Sequence, residues 1–198
     1  MAEIVQDEFT YLSKALEQTN GEPVDVKELF NVPVVNAIWR ILTGERIESG
    51  DVRMERTIHV MDDLFSDFGS VLGFLALLSV KVKILFEALG LLRIQKGVDY
   101  VFEIADDQIK EHTETFQEEN MRDYTNCYIE KKLLNETDEE DKKFARQNLR
   151  NIYADLFFAG SETTSSTLKW AMLYMVLNPK IQLKAQVWSL NSITYYHY

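Results

Sequence analysis

The sequence predicts a mainly α-helical protein with little or no sheet, and three observations lead to this fold class. Apolar residues recur at spacings of three and four, which is the helical period, rather than in strict alternation. Only three prolines and eight glycines interrupt 198 residues, so few turns and long helices are expected. With 46% apolar and 27% charged residues, the chain can form a buried core. The sequence therefore predicts one helical domain, or part of one.

The charge and the cysteine content exclude several classes of protein. The formal net charge is −11, whereas binding to nucleic acid depends chiefly on Lys and Arg side chains that neutralise phosphates. We therefore expect no nucleic-acid partner. The single cysteine, Cys127, excludes an internal disulfide bond and cannot by itself make a structural zinc site. The sequence has no His-Glu-x-x-His motif and no pair of Glu-x-x-His motifs, so we expect no metal bound by protein side chains alone.

The first 70 residues predict three amphipathic helices separated by turn-forming residues. The first covers residues 3–19, and a Gly-Glu-Pro turn follows it. The second begins near residue 26, continues beyond Pro33 and closes at Gly44. The third covers residues 53–69. The apolar side chains expected on the buried faces of the first and third helices are Ile4, Phe9, Leu12, Leu16, Met54, Ile58, Met61, Leu64, Phe65 and Phe68.

Residues 71–92 form the most apolar stretch of the chain. They are long enough to span a bilayer, but Lys81, Lys83 and Glu87 interrupt the run. We therefore expect a buried or interfacial segment rather than a membrane-spanning one. One hypothesis for the whole chain follows from this segment. It describes a non-enzymatic helical protein that binds a partner or a membrane surface through residues 71–92.

The second half of the chain predicts a surface helix and then one very long helix. Residues 97–118 carry a single apolar stripe in a highly charged segment, and residues 135–143 are an acidic loop or helix start. Residues 144–177 contain no proline and only one glycine. This length is far above the mean for helices of about 11–12 residues. The long helix stops at Asn178, and Pro179 is a good first residue for the next helix.

One stretch of the long helix, FFAGSETTSS at residues 157–166, carries a glycine and several hydroxyls where a buried helix should carry apolar side chains. Gly160 costs about 1 kcal/mol relative to Ala in a helix interior. In one interpretation, Gly160 closes one helix, and Ser161 or Thr163 caps a second helix. In the other interpretation, the helix is continuous. Local chemistry alone leaves both interpretations open.

A continuous helix would place four residues on one stripe, because they are spaced by four: Asp155, Ala159, Thr163 and Thr167. The small residues Ala159 and Gly160 would then leave room for a flat group to lie against the helix. The hydroxyl of Thr163 could also bond the backbone carbonyl one turn back and open the helix locally. The neighbouring acid, Glu162, would supply protons to this hydroxyl.

The segment Ala159-Gly160-Ser161-Glu162-Thr163-Thr164 is preceded by DLFF and followed by SSTLKWAMLYMVLNP. It resembles the long oxygen-activating helix of the cytochrome P-450 haem-thiolate monooxygenases. The similarity is closest to the microsomal type that metabolises drugs and fatty acids, often called family two. Two other segments, NVPVVNAIWRILTGERI and MRDYTNCYIEKK, resemble that family in the same order and spacing. The resemblance covers residues 1–186, the central helical part of the family's domain, and residues 187–198 look like a non-family tail.

The resemblance implies haem as the cofactor and places its site along the long helix. Thr163 would hydrogen-bond the oxygen that the haem activates, and Glu162 would relay protons through water. The residues that would bind the haem are Ala159, Gly160, Thr163 and Thr164. The residues that would bind the substrate are Asp155, Phe158, Ala159, Phe65 and Phe68. The region of Phe65 and Phe68, with residues 71–92, would form a lid that dips toward the membrane.

The resemblance also implies partners and a location. The family oxidises lipophilic small molecules with electrons from NADPH-cytochrome reductase, on the cytoplasmic side of the endoplasmic reticulum membrane. The family's membrane anchor does not match any part of the sequence, so we expect this chain to be cytoplasmic.

The family's metal ligand has no counterpart in the sequence. The loop Phe-x-x-Gly-x-Arg-x-Cys-x-Gly, which supplies the thiolate ligand of the iron, does not occur in the 198 residues. Cys127 has different neighbours in the sequence from that loop, and we expect it to be a buried or partly buried, inert thiol. The expectation is therefore that this chain is inactive by itself.

Overall fold

The computed structural model of the protein describes residues 1–48, 50–69, 79–89, 94–117 and 121–195. Over these residues the chain is helical and has no β-strand, which confirms the predicted fold class. The helices are α1 (Ala2–Gln18), α2 (Val26–Leu29), α3 (Asn31–Thr43), α4 (Val52–Gly69), α5 (Val80–Ala88), α6 (Ile94–Glu114), α7 (Tyr124–Tyr128), α8 (Glu139–Leu177) and α9 (Pro179–Tyr195). A π-helical turn at Ile129–Leu133 directly follows α7.

The long helix α8 lies at the centre of the packed helices. Helices α3, α4 and α6 pack against it, and their buried side chains meet those of α8 in one core. The core consists of Val35, Trp39, Leu42, Ile47, Met54, Met61, Val101, Ala105, Ile109, Leu149, Tyr153, Ala154 and Phe157. Because burial of apolar surface is the main stabilising term in folding, this core fixes which side of α8 faces inward.

The N-terminus of α8 lies further upstream than the sequence predicts. The helix begins at Glu139 rather than at residue 144, because Asp138 caps it. The Asp138 side chain accepts a hydrogen bond from the backbone N–H of Glu140, at 3.2 Å. Acidic residues in the first turn also interact favourably with the positive end of the helix dipole. The acidic segment at 135–143 is therefore mostly a helix start.

Gly44 ends α3, as the sequence predicts. Its φ is 75°, in the left-handed region that favours glycine, and its N–H donates to the Arg40 carbonyl at 2.9 Å. A Cβ at this position would lie 3.2 Å from Oδ2 of Asp123. The backbone conformation favours glycine here, and the close approach of Asp123 brings the end of α3 next to the start of α7.

Helix α1 packs on α3 with ion pairs, and of its predicted apolar face Ile4, Leu12 and Leu16 are half-buried, whereas Phe9 is exposed. Phe9 is 62% exposed, whereas Glu8 is only 3% exposed. Arg40 and Arg46 donate hydrogen bonds to Glu8, at 3.4 and 3.0 Å. Arg40 also forms an ion pair with Asp7, at 2.9 Å. A buried carboxylate needs such partners, and the two arginines outweigh the local apolar spacing that favours burying Phe9.

Helix α5 is the described part of the predicted lid. Four of the apolar side chains in and directly after it are exposed: Val80, Ile84, Leu85 and Leu89. Residues 71–78 and 90–92 of the predicted lid, the side chain of Phe68, and residues 196–198 of the predicted tail lie outside the described residues. Among the helices that the structure describes, none is both long and apolar enough to cross a membrane.

Candidate functional site

Helix α8 passes through the patch of glycine and hydroxyls without a break. Every residue from Glu139 to Leu177 is helical, including Gly160 and Thr163. The interpretation with two helices is therefore wrong, and the continuous helix is confirmed. Packing of α3, α4 and α6 on one side of α8 outweighs the helix-breaking tendency of a single glycine, which is about 1 kcal/mol.

The two sides of α8 in this patch lie in different environments. The buried side carries residues spaced by four: Tyr153, Phe157, Ser161 and Ser165. The opposite side carries the predicted stripe, which we call the outer stripe: Asp155, Ala159, Thr163 and Thr167. All four residues of the outer stripe are exposed, and so is Thr164 beside them. The outer stripe is thus a narrow band of small and polar side chains that another group can contact.

The threonine hydroxyls of the outer stripe donate hydrogen bonds to backbone carbonyls of α8. Oγ1 of Thr163 donates to the carbonyl of Ala159 at 2.6 Å, and Oγ1 of Thr167 donates to the carbonyl of Thr163 at 2.7 Å. The sequence predicts this contact one turn back, but α8 remains helical through both contacts, so they do not interrupt the helix. Each hydroxyl oxygen keeps lone pairs that can accept a hydrogen bond from a ligand.

Glu162 points to a different side of α8 from Thr163, because adjacent residues of a helix are about 100° apart. Glu162 is half-buried and accepts a hydrogen bond from the Ser166 hydroxyl one turn along. Its side chain lines a small cavity between α8 and α4. Glu162 and Thr163 therefore each have their own partner. Transfer of a proton between them needs a bridging water or a change of rotamer.

Ala159 and Gly160 play different parts in the structure, although the sequence groups them. A Cβ at Gly160 would lie 2.9 Å from Cδ1 of Ile38, so Ile38 of α3 occupies the space that the glycine leaves. Ala159 lies on the outer stripe and is exposed. Phe158 is half-buried and packs against the edge of the core. The exposed side at Ala159 therefore has room for a flat group, whereas the space beside Gly160 is filled by the end of the Ile38 side chain.

Phe65, the other described residue of the predicted substrate pocket, lies on α4. Met61, one helical turn before it, lines the same cavity as Ser161 and Glu162, which places this face of α4 beside the patch on α8. Phe65 is half-buried. The structure thus brings α4 next to α8.

A buried cluster around Asp123 is the main feature that the sequence does not predict. Nε2 of His112 lies 3.2 Å from Oδ2 of Asp123, and Nδ1 of His112 lies 2.8 Å from the Gln108 carbonyl. Both ring nitrogens face acceptors, so both need a hydrogen, as in the charged imidazolium. Burial alone lowers the pKa of His112, but the hydrogen bond and the charge of Asp123 outweigh it and raise the pKa above its usual value.

The Asp123 cluster joins three helices behind the outer stripe. Oδ1 of Asp123 accepts from the backbone N–H of Asn126 at 2.8 Å and so caps α7. The hydroxyl of Thr125 on α7 lies 2.7 Å from the hydroxyl of Tyr153 on α8. Burial raises the pKa of Tyr153, so this phenol stays neutral. An Asp directly before a helix is a visible N-cap signal, but its pairing with His112 is not visible in the sequence.

The described residues do not hold a metal ligand set. They contain no cluster of three or more His, Cys, Asp or Glu side chains that could hold a metal ion. Cys127 is half-buried on α7, as expected. The outer stripe carries neither an imidazole nor a thiol. Its small and hydroxyl-bearing side chains therefore fit one wall of a haem site, and they do not supply a ligand to the iron.

Comparison with known sequences identifies the family of the chain, and the helical fold of the described residues agrees with it. The sequence profile of the family described as cytochrome P450 matches residues 1–187. The chain belongs to this family, whose cofactor is haem.

Three relatives illustrate the similarity. The chain is 30% identical over 197 residues to cytochrome P450 2J2 of Homo sapiens, an alignment that covers 94% of this chain and 37% of the relative. It is 32% identical over 187 residues to cytochrome P450 2D4 of Rattus norvegicus, with 92% and 36% covered. It is 28% identical over 184 residues to cytochrome P450 2C1 of Oryctolagus cuniculus, with 92% and 37% covered. The chain thus spans 36–37% of the length of these relatives.

Proposed function

We propose that α8 forms one wall of a haem-dependent monooxygenase site, in which one oxygen atom from O₂ is inserted into a lipophilic substrate. The observation that carries this proposal is the outer stripe on an unbroken helix. Ala159 is small enough for a flat ring to lie against the backbone, and Thr163 adds a hydroxyl one turn further on. Membership of the cytochrome P450 family supports the same assignment.

Some residues of the site would bind the haem, and others would transfer protons. When bound, haem supplies the iron at which dioxygen is activated. Ala159 and Thr164 would contact the haem, and Gly160 would let α3 support α8 from behind. Oγ1 of Thr163 would accept a hydrogen bond from the reacting group. Glu162 would deliver protons to that side of the helix through water, as a general acid.

The substrate side of the site would be formed by residues near the two ends of the patch. Phe158 and Phe65, with the side chain of Phe68, would supply the apolar surface that a lipophilic molecule needs. Asp155 would provide a polar group at the far end of the outer stripe. Electrons would come from NADPH-cytochrome reductase, and the site would lie on the cytoplasmic side of the endoplasmic reticulum membrane. These partners and this location rest on the family resemblance.

The 198 residues alone would not catalyse the reaction, in our proposal. Their single cysteine, Cys127, is half-buried on α7, and the residues around it do not match the family's Cys loop. The thiolate that favours O–O cleavage in this family therefore has no source among these residues.

We expect the purified chain to bind added haem without giving a thiolate-type spectrum after reduction under carbon monoxide. The substitution Ala159→Phe should raise the dissociation constant for haem about tenfold or more, equivalent to roughly 1.4 kcal/mol, because a bulky ring would occupy the outer stripe. Quenching of tryptophan fluorescence during a haem titration measures this constant, and the difference spectrum measures ligation.

The matched control for the haem titration is Asn148→Phe, which adds the same ring at an exposed position of α8 before the patch. It should leave the dissociation constant unchanged. Equal weakening by the two phenylalanines would contradict the assignment of the outer stripe as the haem wall. A normal thiolate-type spectrum from the chain would contradict the proposal that Cys127 is not a ligand.

A second candidate function is the binding of a membrane surface through α5, and it would also suit a non-enzymatic protein. Val80, Ile84, Leu85 and Leu89 are exposed, and Lys81 between them is exposed as well. Apolar side chains beside a lysine are typical of contact with anionic lipid headgroups.

We expect the double substitution Ile84→Glu and Leu85→Glu to reduce binding to vesicles of phosphatidylcholine and phosphatidylserine by about tenfold or more, since it removes two insertable apolar groups. Co-sedimentation with the vesicles measures this binding. Phe144→Glu, at an exposed site on α8, is the control. Undiminished binding by the double variant would exclude α5 as the contact surface.

A further inference from the structure

A small cavity lies where α3, α4 and α8 meet, on the buried side of the patch. Its volume is about 10 Å³. This is close to the smallest cavity that can hold one water molecule. The polar residues of its lining are Asn31 at the start of α3, Asp62 on α4, and Ser161, Glu162 and Ser165 on α8. The cavity is therefore large enough for one water and too small for an organic ligand.

Two polar atoms in this lining are buried without a hydrogen-bond partner in the protein: Oδ1 of Asn31 and Oγ of Ser161. Asn31 is 5% exposed and Ser161 is 4% exposed, so these atoms cannot form hydrogen bonds with bulk solvent. Buried polar groups in folded proteins are normally paired with protein or with ordered water, because leaving them unpaired is costly. The amide oxygen of Asn31 can only accept a hydrogen bond, whereas the hydroxyl of Ser161 can donate one.

Of the other polar residues in the lining, Ser165 and Glu162 have hydrogen-bond partners on α8, and Asp62 of α4 is half-buried, so solvent can reach its carboxylate. The hydroxyl of Ser165 donates to the Glu162 carbonyl at 3.3 Å, and the carboxylate of Glu162 accepts from Ser166. A divalent cation would need six or more oxygen ligands, and the described residues contain no cluster of three metal-binding side chains. One water molecule, which can donate to Asn31 and accept from Ser161, is the occupant that satisfies both unpaired atoms.

We propose that this cavity binds one ordered water molecule, which bridges Oδ1 of Asn31 and Oγ of Ser161. The water ties the start of α3 to α8 directly behind the outer stripe. This link resists rotation of α8 about its axis at Ser161. Because Ser161 adjoins Glu162, the same link fixes the direction in which the Glu162 side chain leaves the helix. The water site does not depend on the proposed binding of haem.

We expect the wild-type chain to lose one long-lived internal water on the substitution Ser161→Ala. The thermal midpoint should fall by about 2–4 °C, because Asn31 then loses the donor that satisfied it. Magnetic relaxation dispersion of ¹⁷O counts internal waters in solution, and circular dichroism gives the midpoint. The matched control is Thr57→Val on α4, which removes a similarly buried hydroxyl that does not line the cavity. This hydroxyl bonds the Arg53 carbonyl of its own helix, so the water count should stay unchanged.

A dry cavity would give the opposite result for Ser161→Ala. The water count would not change, and the midpoint would rise because a costly unpaired hydroxyl is removed; either outcome overturns the proposal. A midpoint that depends on Na⁺, K⁺ or Ca²⁺, with the dependence lost in Ser161→Ala, would show a bound ion and would also overturn it. If Ser161→Ala does not fold, Asn31→Leu removes the other partner and should abolish the same water.

Discussion

We expect Phe157→Ala to lower the free energy of unfolding by about 3–5 kcal/mol. Phe157 lies on the buried side of α8, is 2% exposed, and its ring centroid is 6.2 Å from that of Trp39 on α3. Truncation leaves a cavity at the junction of α3 and α8, because a close-packed interior relaxes only partly around a missing ring. Urea denaturation followed by circular dichroism measures the loss.

The control for Phe157 is the same substitution elsewhere on the same helix. Phe144, near the start of α8, is 71% exposed, so Phe144→Ala should change the free energy of unfolding by less than about 0.5 kcal/mol. Equal losses at the two positions would mean that the Phe157 side of α8 does not face the core.

We expect Asp123→Ala to destabilise the chain by about 3–5 kcal/mol at pH 6, because it leaves the charged His112 buried without its partner and removes the cap of α7. The loss should shrink at higher pH. Asp123 holds the pKa of His112 above its unfolded value near 6.5, so the stability that the pair contributes is complete below pH 6.5. This stability is lost as the pH rises through the pKa that His112 has in the folded chain. Urea denaturation at several pH values measures both effects.

Two histidine variants separate this pair from other sources of pH dependence. His112→Gln removes the titrating group and should flatten the fall in stability above pH 6.5. His59→Gln, at an exposed position of α4, should leave the fall unchanged. If the stability of the wild-type chain rises rather than falls between pH 6.5 and pH 8, and His112→Gln removes that rise, then His112 is neutral in the folded chain.

The sequence predicts those features of the site that depend on residues close together in the chain. A spacing of four is sufficient to place Ala159 and Thr163 on one side of a helix, and it also predicts the hydroxyl contact one turn back. Residue type alone identifies Gly44 as the end of α3. In each case the physical cause acts within one or two helical turns, so that local periodicity and capping chemistry contain the information.

Other features depend on contacts between distant residues, and the sequence alone does not predict them. The space beside Gly160 is filled by the end of the Ile38 side chain, which approaches from α3. The burial of Glu8 depends on Arg40 and Arg46, which are more than thirty residues further along the chain. For the same reason, the sequence alone does not decide whether α8 is one helix or two. The cost of Gly160 is local, but the packing that offsets it comes from three other helices.

The contact between Thr163 and Ala159 gives the hydroxyl a resting direction. Its single hydrogen points along the helix to the carbonyl of Ala159, so a molecule that arrives at α8 from outside meets oxygen lone pairs first. Such a molecule must begin as the donor. Thr163 can donate outward only after its O–H bond rotates away from the backbone, and that rotation leaves the carbonyl of Ala159 free to accept from water.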